Sequence, residues 1–221
     1  LYNPVIAEKL RSKDAKEHIV LNDFAFDSNG MLYVLTGPNR GGKSVVLGAV
    51  GIAQLMFQLG LPVAAESLDI SPVDCIYTHL PTGIGDMVGK GRFGEECARL
   101  KSILRKVSQN SMVLLDETLS GTDAFEASVI AQEVLKSLAV LGCRGIFVTH
   151  LHELSNKVTE INSTEGIISR IDNLVAGMDC GKRSYKISRC APDGKSYAHD
   201  IAEKYGLSLE KILSDNEKRN K

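Results

Sequence analysis

Apolar residues along this chain fall into short unbroken runs separated by longer amphipathic stretches. MLYVLT (31–36), MVLLDE (112–117) and RGIFVT (144–149) are compact runs of strand formers, suited to parallel strands buried on both faces. IVLNDFAF (19–26) and VDCIYTHL (73–80) read as further strands, the first turning back into 31–36 through Ser28-Asn29-Gly30. Residues 43–59 are too long and too apolar for anything but a buried helix, which stops at Gly60 ahead of Pro62. Glu95 to Val107 places Cys97, Ala98, Leu100, Ile103, Leu104 and Val107 at helical spacing, and 124–141 reads as another helix. Strands alternating with helices predict an α/β fold with a mostly parallel central sheet flanked by helices.

The stretch between the first parallel strand and its helix, LTGPNRGGKSVVL (35–47), carries the strongest chemical signal. It fits G-x-x-x-x-G-K-[ST] through Gly37, Gly42, Lys43 and Ser44, the pattern in which backbone N–H groups close around phosphate oxygens. That pattern makes the fold a P-loop nucleotide-binding one. Lys43 is expected to reach the β- and γ-phosphates, and Ser44 to offer its hydroxyl to Mg²⁺. The helix beginning there adds its positive dipole end beneath the anion. The nucleotide-binding set is Gly37, Pro38, Asn39, Arg40, Gly41, Gly42, Lys43, Ser44 and Val45.

Composition narrows the setting. The 221 residues suffice for one large α/β domain, and a formal net charge of −1 excludes a grip on nucleic acid through overall charge. The five cysteines are widely spaced and form no C-x-x-C pair, so neither a disulfide framework nor a zinc site is indicated, and a reducing cytoplasm is the simplest location. No signal peptide or membrane-length apolar run is present, so no membrane partner is expected. The chain opens on Leu1 rather than Met, as expected of a piece of something longer.

Open α/β sheets place ligands at the carboxyl ends of their strands, so the glycine-rich loop, Asp116-Glu117 and His150 are expected in one crevice. Asp116 is suited to hold Mg²⁺. Glu117, one residue further along a pleated strand, would point the other way and be free to polarise a water for attack on the γ-phosphate. His150 could orient the γ-phosphate. His150-Leu151-His152 has no third partner at sensible spacing for a further metal.

With these residues in place, the chain resembles ATP-binding-cassette ATPases and, more narrowly, the C-terminal ATPase domain of MutS-type DNA mismatch-repair proteins. The resemblance rests on GPNRGGKS (37–44), LLDE followed by GTD, VTHLHEL (148–154) and SYAHDIAEKYGL (196–207), and covers about residues 1–214. It implies ATP and Mg²⁺ as ligands, with Lys43, Glu117 and His150 as the catalytic set. It also implies adenine contacts at Tyr2, Pro4, Val5 and Asn22. Residues 1–195 would be the ATPase domain, and 196–221 a helix-turn-helix dimerisation element with a tail. A homodimer follows, with DNA contacted through domains outside this chain. Each site would be completed by a partner's signature loop, Gly89, Lys90, Gly91 and Arg92, and by the D-loop Ser120, Gly121, Thr122 and Asp123.

The sequence departs from the family at several of these positions, and so resembles a divergent member. Gly91 stands where the signature serine is expected, which points to slow hydrolysis, with backbone N–H groups of 89–91 and the charge of Lys90 or Arg92 left to bind phosphate. Arg40 replaces a common methionine, and Leu119-Ser120 replaces a basic residue and glycine. Two alternatives share the phosphate loop: a transporter ATPase subunit, which would need an L-S-G-G-Q-like signature, and a nucleotide-gated module with negligible turnover.

Overall fold

The computed structural model describes residues 1–12, 18–81, 91–119, 121–179, 182–191 and 211, without the side chains of Arg92 and Lys182. Gly89, Lys90, Ser120 and the expected helix-turn-helix lie outside the described residues, apart from Lys211. The elements run α1 (Pro4–Ser12), β1 (Leu32–Thr36), α2 (Lys43–Gln58), β2 (Ile76–His79), α3 (Arg92–Leu104) and β3 (Met112–Asp116). They continue with α4 (Ala124–Leu141), β4 (Arg144–Val148), α5 (His152–Asn156), α6 (Val158–Asn162), β5 (Ile171–Asp179) and β6 (Lys182–Arg189).

The six strands form one sheet in the order β2-β3-β4-β1-β5-β6, parallel throughout except for the antiparallel edge strand β6. Side-chain alternation divides the core into two layers, one on each face. Leu32 and Val34 of β1, Val113 and Leu115 of β3, and Phe147 of β4 face α3, α4, α5 and α6. Tyr33, Leu35, Met112, Leu114, Ile146 and Val148 face α2 through Leu47 and Val50. Burial on both faces explains why these strands read as continuous apolar runs. Val34 pairs with Phe147 on one side and Asn173 on the other, which aligns the ends of β1, β4 and β5.

Residues 19–26 do not form the expected strand. Their alternation packs the half-buried Phe24 and Phe26 against Tyr33, with ring centroids 5.3 Å apart for Phe24–Tyr33, but the backbone joins no ladder. Asp27 and Gly30 close the turn by reciprocal backbone hydrogen bonds of 3.0 Å. Arg189 at the end of β6 reaches Asp27 at 2.7 Å and also pairs with Asp172, tying this segment to the sheet edge. α3 starts earlier than its apolar spacing indicates, because Gly91 caps it and Arg92 to Gly94 continue the turn.

Sequence reading passed over α1, α5, α6, β5 and β6. In α5 and α6 the signal was present: Leu151, Leu154, Val158 and Ile161 recur at helical spacing and are all buried.

Candidate functional site

The loop 37–42 leaves β1 and enters α2 in a conformation set by its glycines. Gly37 has φ 129°, and a Cβ there would stand 2.8 Å from the Ala176 methyl on β5, so only glycine lets the loop cross the neighbouring strand. Gly42, at φ 91°, caps α2 without a side-chain hydrogen bond, leaving the helix's first N–H groups open to an anion. Arg40 also adopts a left-handed φ of 59° and is exposed.

Two buried ionisable residues of opposite type, Lys43 and Asp116, lie near enough in this region to influence each other's titration. Lys43 is 5% exposed, and its Nζ donates to the carbonyls of Gly37 at 3.0 Å and Pro38 at 3.1 Å. Burial holds its pKa below the ordinary lysine value, opposed by Glu117 and Asp116. Asp116, also 5% exposed, ends β3 with Oδ1 unpartnered. Burial raises its pKa, opposed by a hydrogen bond from Ser44 and by the charge of Lys43, while Glu117 raises it further. A buried carboxylate oxygen without a donor, beside a serine hydroxyl, is a donor set that fits Mg²⁺.

Glu117 departs from the expected geometry. The strand ends at Asp116, and Glu117 turns left-handed at φ 46° with its N–H donating to Val148 O at 2.9 Å, so turn geometry rather than pleat alternation directs its side chain. Leu119, at φ 66°, anchors the same turn in the core. His150 is exposed at the end of β4, between β3 and β1 in the sheet, and does not line the cavity described next.

That cavity, about 660 Å³, runs from the loop to α1. Its wall is formed by Arg40 to Val45 and Glu117, by Tyr185, whose ring lies beside Gly42, and by Tyr2, Ile6, Leu10 and Ile19. Tyr2 and Asn22 line this cavity, whereas Pro4 and Val5 do not. Pro4 opens α1 and Val5 is exposed outside the wall. The Asn22 side chain is hydrogen-bonded to β6, its Nδ2 donating to Tyr185 O and its Oδ1 accepting from Ile187 N–H. Pro38 is buried, and exposed Asn39 accepts at its carbonyl from Arg183.

The described part of the D-loop is built into the fold. Gly121 lies so close to α3 that a Cβ would be 3.0 Å from Phe93 N, Thr122 bonds Glu126, and Asp123 caps α4 by accepting from Phe125 N at 2.9 Å. Gly91 caps α3 at φ −61°, with open space around it. The sequence reading missed Tyr185 entirely. Its only local signal was Tyr185 and Ile187 alternating with polar neighbours.

These features define a class: an α/β domain that gathers a glycine-rich loop, a buried lysine and a buried carboxylate at the carboxyl ends of a parallel sheet. Residues 33–220 match MutS domain V, and the chain belongs to the MutS family. It is 32% identical to a DNA mismatch repair protein MutS of Prochlorococcus marinus, over 99% of this chain and 24% of that protein. It is 31% identical to an Endonuclease MutS2 of Thermus thermophilus, over 86% of this chain and 25% of that one. DNA mismatch repair protein MSH7 of Arabidopsis thaliana is 42% identical over 56% of this chain and 11% of its own length. The chain thus spans about a quarter of the first two relatives' length.

Proposed function

We propose that this chain binds and hydrolyses ATP as the motor domain of a MutS-like protein, of the mismatch-repair or the MutS2 branch, whose attached parts engage DNA. The observation that carries the reading is the convergence of Lys43, Ser44 and Glu117 on one cavity wall, with the unpartnered Oδ1 of Asp116 beside them. Free N–H groups of the loop and of α2 cradle the phosphates. The Lys43 ammonium exchanges two neutral carbonyl partners for phosphate oxygens, a stronger charge-assisted pairing. Ser44 and Asp116 would hold Mg²⁺, which when bound neutralises charge on the β- and γ-oxygens. Glu117 accepts the proton of the attacking water, and His150, which lies beyond the end of β4 and outside the cavity wall, would have to move toward the nucleotide to orient the γ-phosphate.

Two copies close across two nucleotides, and their opening after hydrolysis switches the attached DNA-binding parts. Gly91 in the signature position makes turnover slow. The test is steady-state phosphate release with Mg²⁺-ATP. Lys43→Ala should lose ATP binding, whereas Glu117→Gln should bind ATP but hydrolyse it roughly 100-fold more slowly. A native rate no higher than that of Glu117→Gln would remove the hydrolysis claim and leave a nucleotide-gated binding module.

A further inference from the structure

Strand β2 meets helix α3 at two points, and only one of them is satisfied. Tyr77 and His79 stand two residues apart on β2, in register with Val113 and Leu115 of β3, so both side chains face α3. Just past the C-terminal end of α3, the Tyr77 hydroxyl donates to Lys106 O at 3.1 Å. His79 stands beside the N-terminal half of the helix, near Glu96 and Arg99, and is only 6% exposed. Its Nδ1 is buried and makes no hydrogen bond among the described residues. A buried polar atom without a partner costs stability, and places that retain one are expected to use it.

α3 is placed to transmit a change at this point. Gly91 caps its N-terminal end, and Phe93 in its first turn packs tightly on Gly121, where a Cβ would stand 3.0 Å from Phe93 N. His79 is the last residue of β2, at the same edge of the sheet as the end of β3. Imidazole changes charge close to neutral pH. Here burial holds the His79 pKa below the ordinary histidine value, reinforced by Arg99 and opposed by Glu96. Those two are the charged groups that face it from α3, and its neighbour across the ladder, Leu115, is apolar. At neutral pH the ring is therefore uncharged.

We propose that His79 is a positioning residue for ATP hydrolysis: as a neutral ring it seats the N-terminal half of α3, and as an imidazolium it unseats it. This rests on the ATPase reading above. Protonation places a cation in a buried slot beside the Arg99 guanidinium, which drives the ring outward or toward Glu96. Tyr77 still holds the other end, so the helix tilts about Lys106 and draws Phe93 away from Gly121. Gly91 and Gly121 are the positions expected to complete a partner copy's nucleotide site. His79 touches no nucleotide and acts through α3.

The test is the pH profile of steady-state phosphate release by the 221-residue chain at saturating Mg²⁺-ATP. Native kcat should fall by about tenfold per pH unit once pH drops below the His79 pKa, with KM little changed. Glutamine keeps a polar group but does not titrate, so in His79→Gln, normalised to its own rate at neutral pH, that acid limb should be absent. Arg99→Gln should move the limb to higher pH and Glu96→Gln to lower pH, as removing a repelling and an attracting charge requires. These two variants decide the matter if His79→Gln does not fold. An acid limb in His79→Gln that superimposes on the native one overturns the inference, and so does a limb unmoved by both charge variants. A native chain without turnover at any pH overturns the ATPase reading itself, and this inference with it.

Discussion

Lys43 and Asp116 are both buried, and burial pushes their pKa values in opposite directions, each toward the neutral form. Holding such groups ionised without ligand opposes folding, and a site that keeps them trades stability for binding. Asp116→Asn should therefore raise Tm at neutral pH by about 2–4 °C, corresponding to about 1 kcal/mol, while abolishing Mg²⁺-dependent ATP binding. The sign of the pH dependence follows from the raised carboxyl pKa in the folded state. Native protein gains stability as pH falls through that value, and the gain is complete below the unfolded pKa. The Tm advantage of the Asn variant should thus be largest at neutral pH and shrink on acidification. Calorimetric scans of both proteins across that range measure it, and an advantage independent of pH would refute the assignment.

The two long helices that follow β1 and β3 begin differently, a difference that the proposed nucleotide reading explains. α4 has an acidic N-cap, Asp123, whose carboxylate takes up the Phe125 N–H. α2 begins at Gly42, with no side chain to occupy its first N–H groups. A filled cap stabilises a helix that binds nothing there, whereas an empty one leaves the dipole end for a phosphate. Asp123→Ala should destabilise the protein by about 0.5–2 kcal/mol in urea denaturation without changing ATP affinity. A selective loss of ATP affinity would instead give Asp123 a part in the nucleotide site. The extent of α4 was legible from its apolar spacing, because that helix packs one continuous stripe on the sheet. β6 was not, because its backbone is bent by a side chain from another part of the molecule.

At the scale of the molecule, the strand order sets β4 between β1 and β3, so three strand ends that are distant in sequence open at one edge of the sheet. Among the described residues no helix is long and apolar enough to cross a membrane. The chain spans about a quarter of relatives named for mismatch repair or as MutS2 endonucleases, so DNA engagement is proposed for parts beyond it. Light scattering on the chain, and on one truncated before Ser196, tests the proposed dimer. A dimer formed without nucleotide that becomes monomeric on truncation is the expected result. A chain that is monomeric until Mg²⁺-ATP is added would place the dimer contact at the nucleotide instead.

The sequence by itself determined the glycine-rich loop, the buried strands β1, β3 and β4, and the residues at their ends, because these depend on local backbone freedom and on runs of side chains buried on both faces. The loop position of Gly37 and the strand-end position of Asp116 were legible from their immediate neighbours. Tertiary structure alone decided the rest. It turned Glu117 by a left-handed residue instead of a pleat, left 19–26 out of the sheet, and set Pro4 and Val5 outside the cavity wall. It also joined Asn22 to Tyr185 across 163 residues of chain, a pairing no local pattern encodes, because it depends on where the sheet edge places β6 relative to the segment before β1.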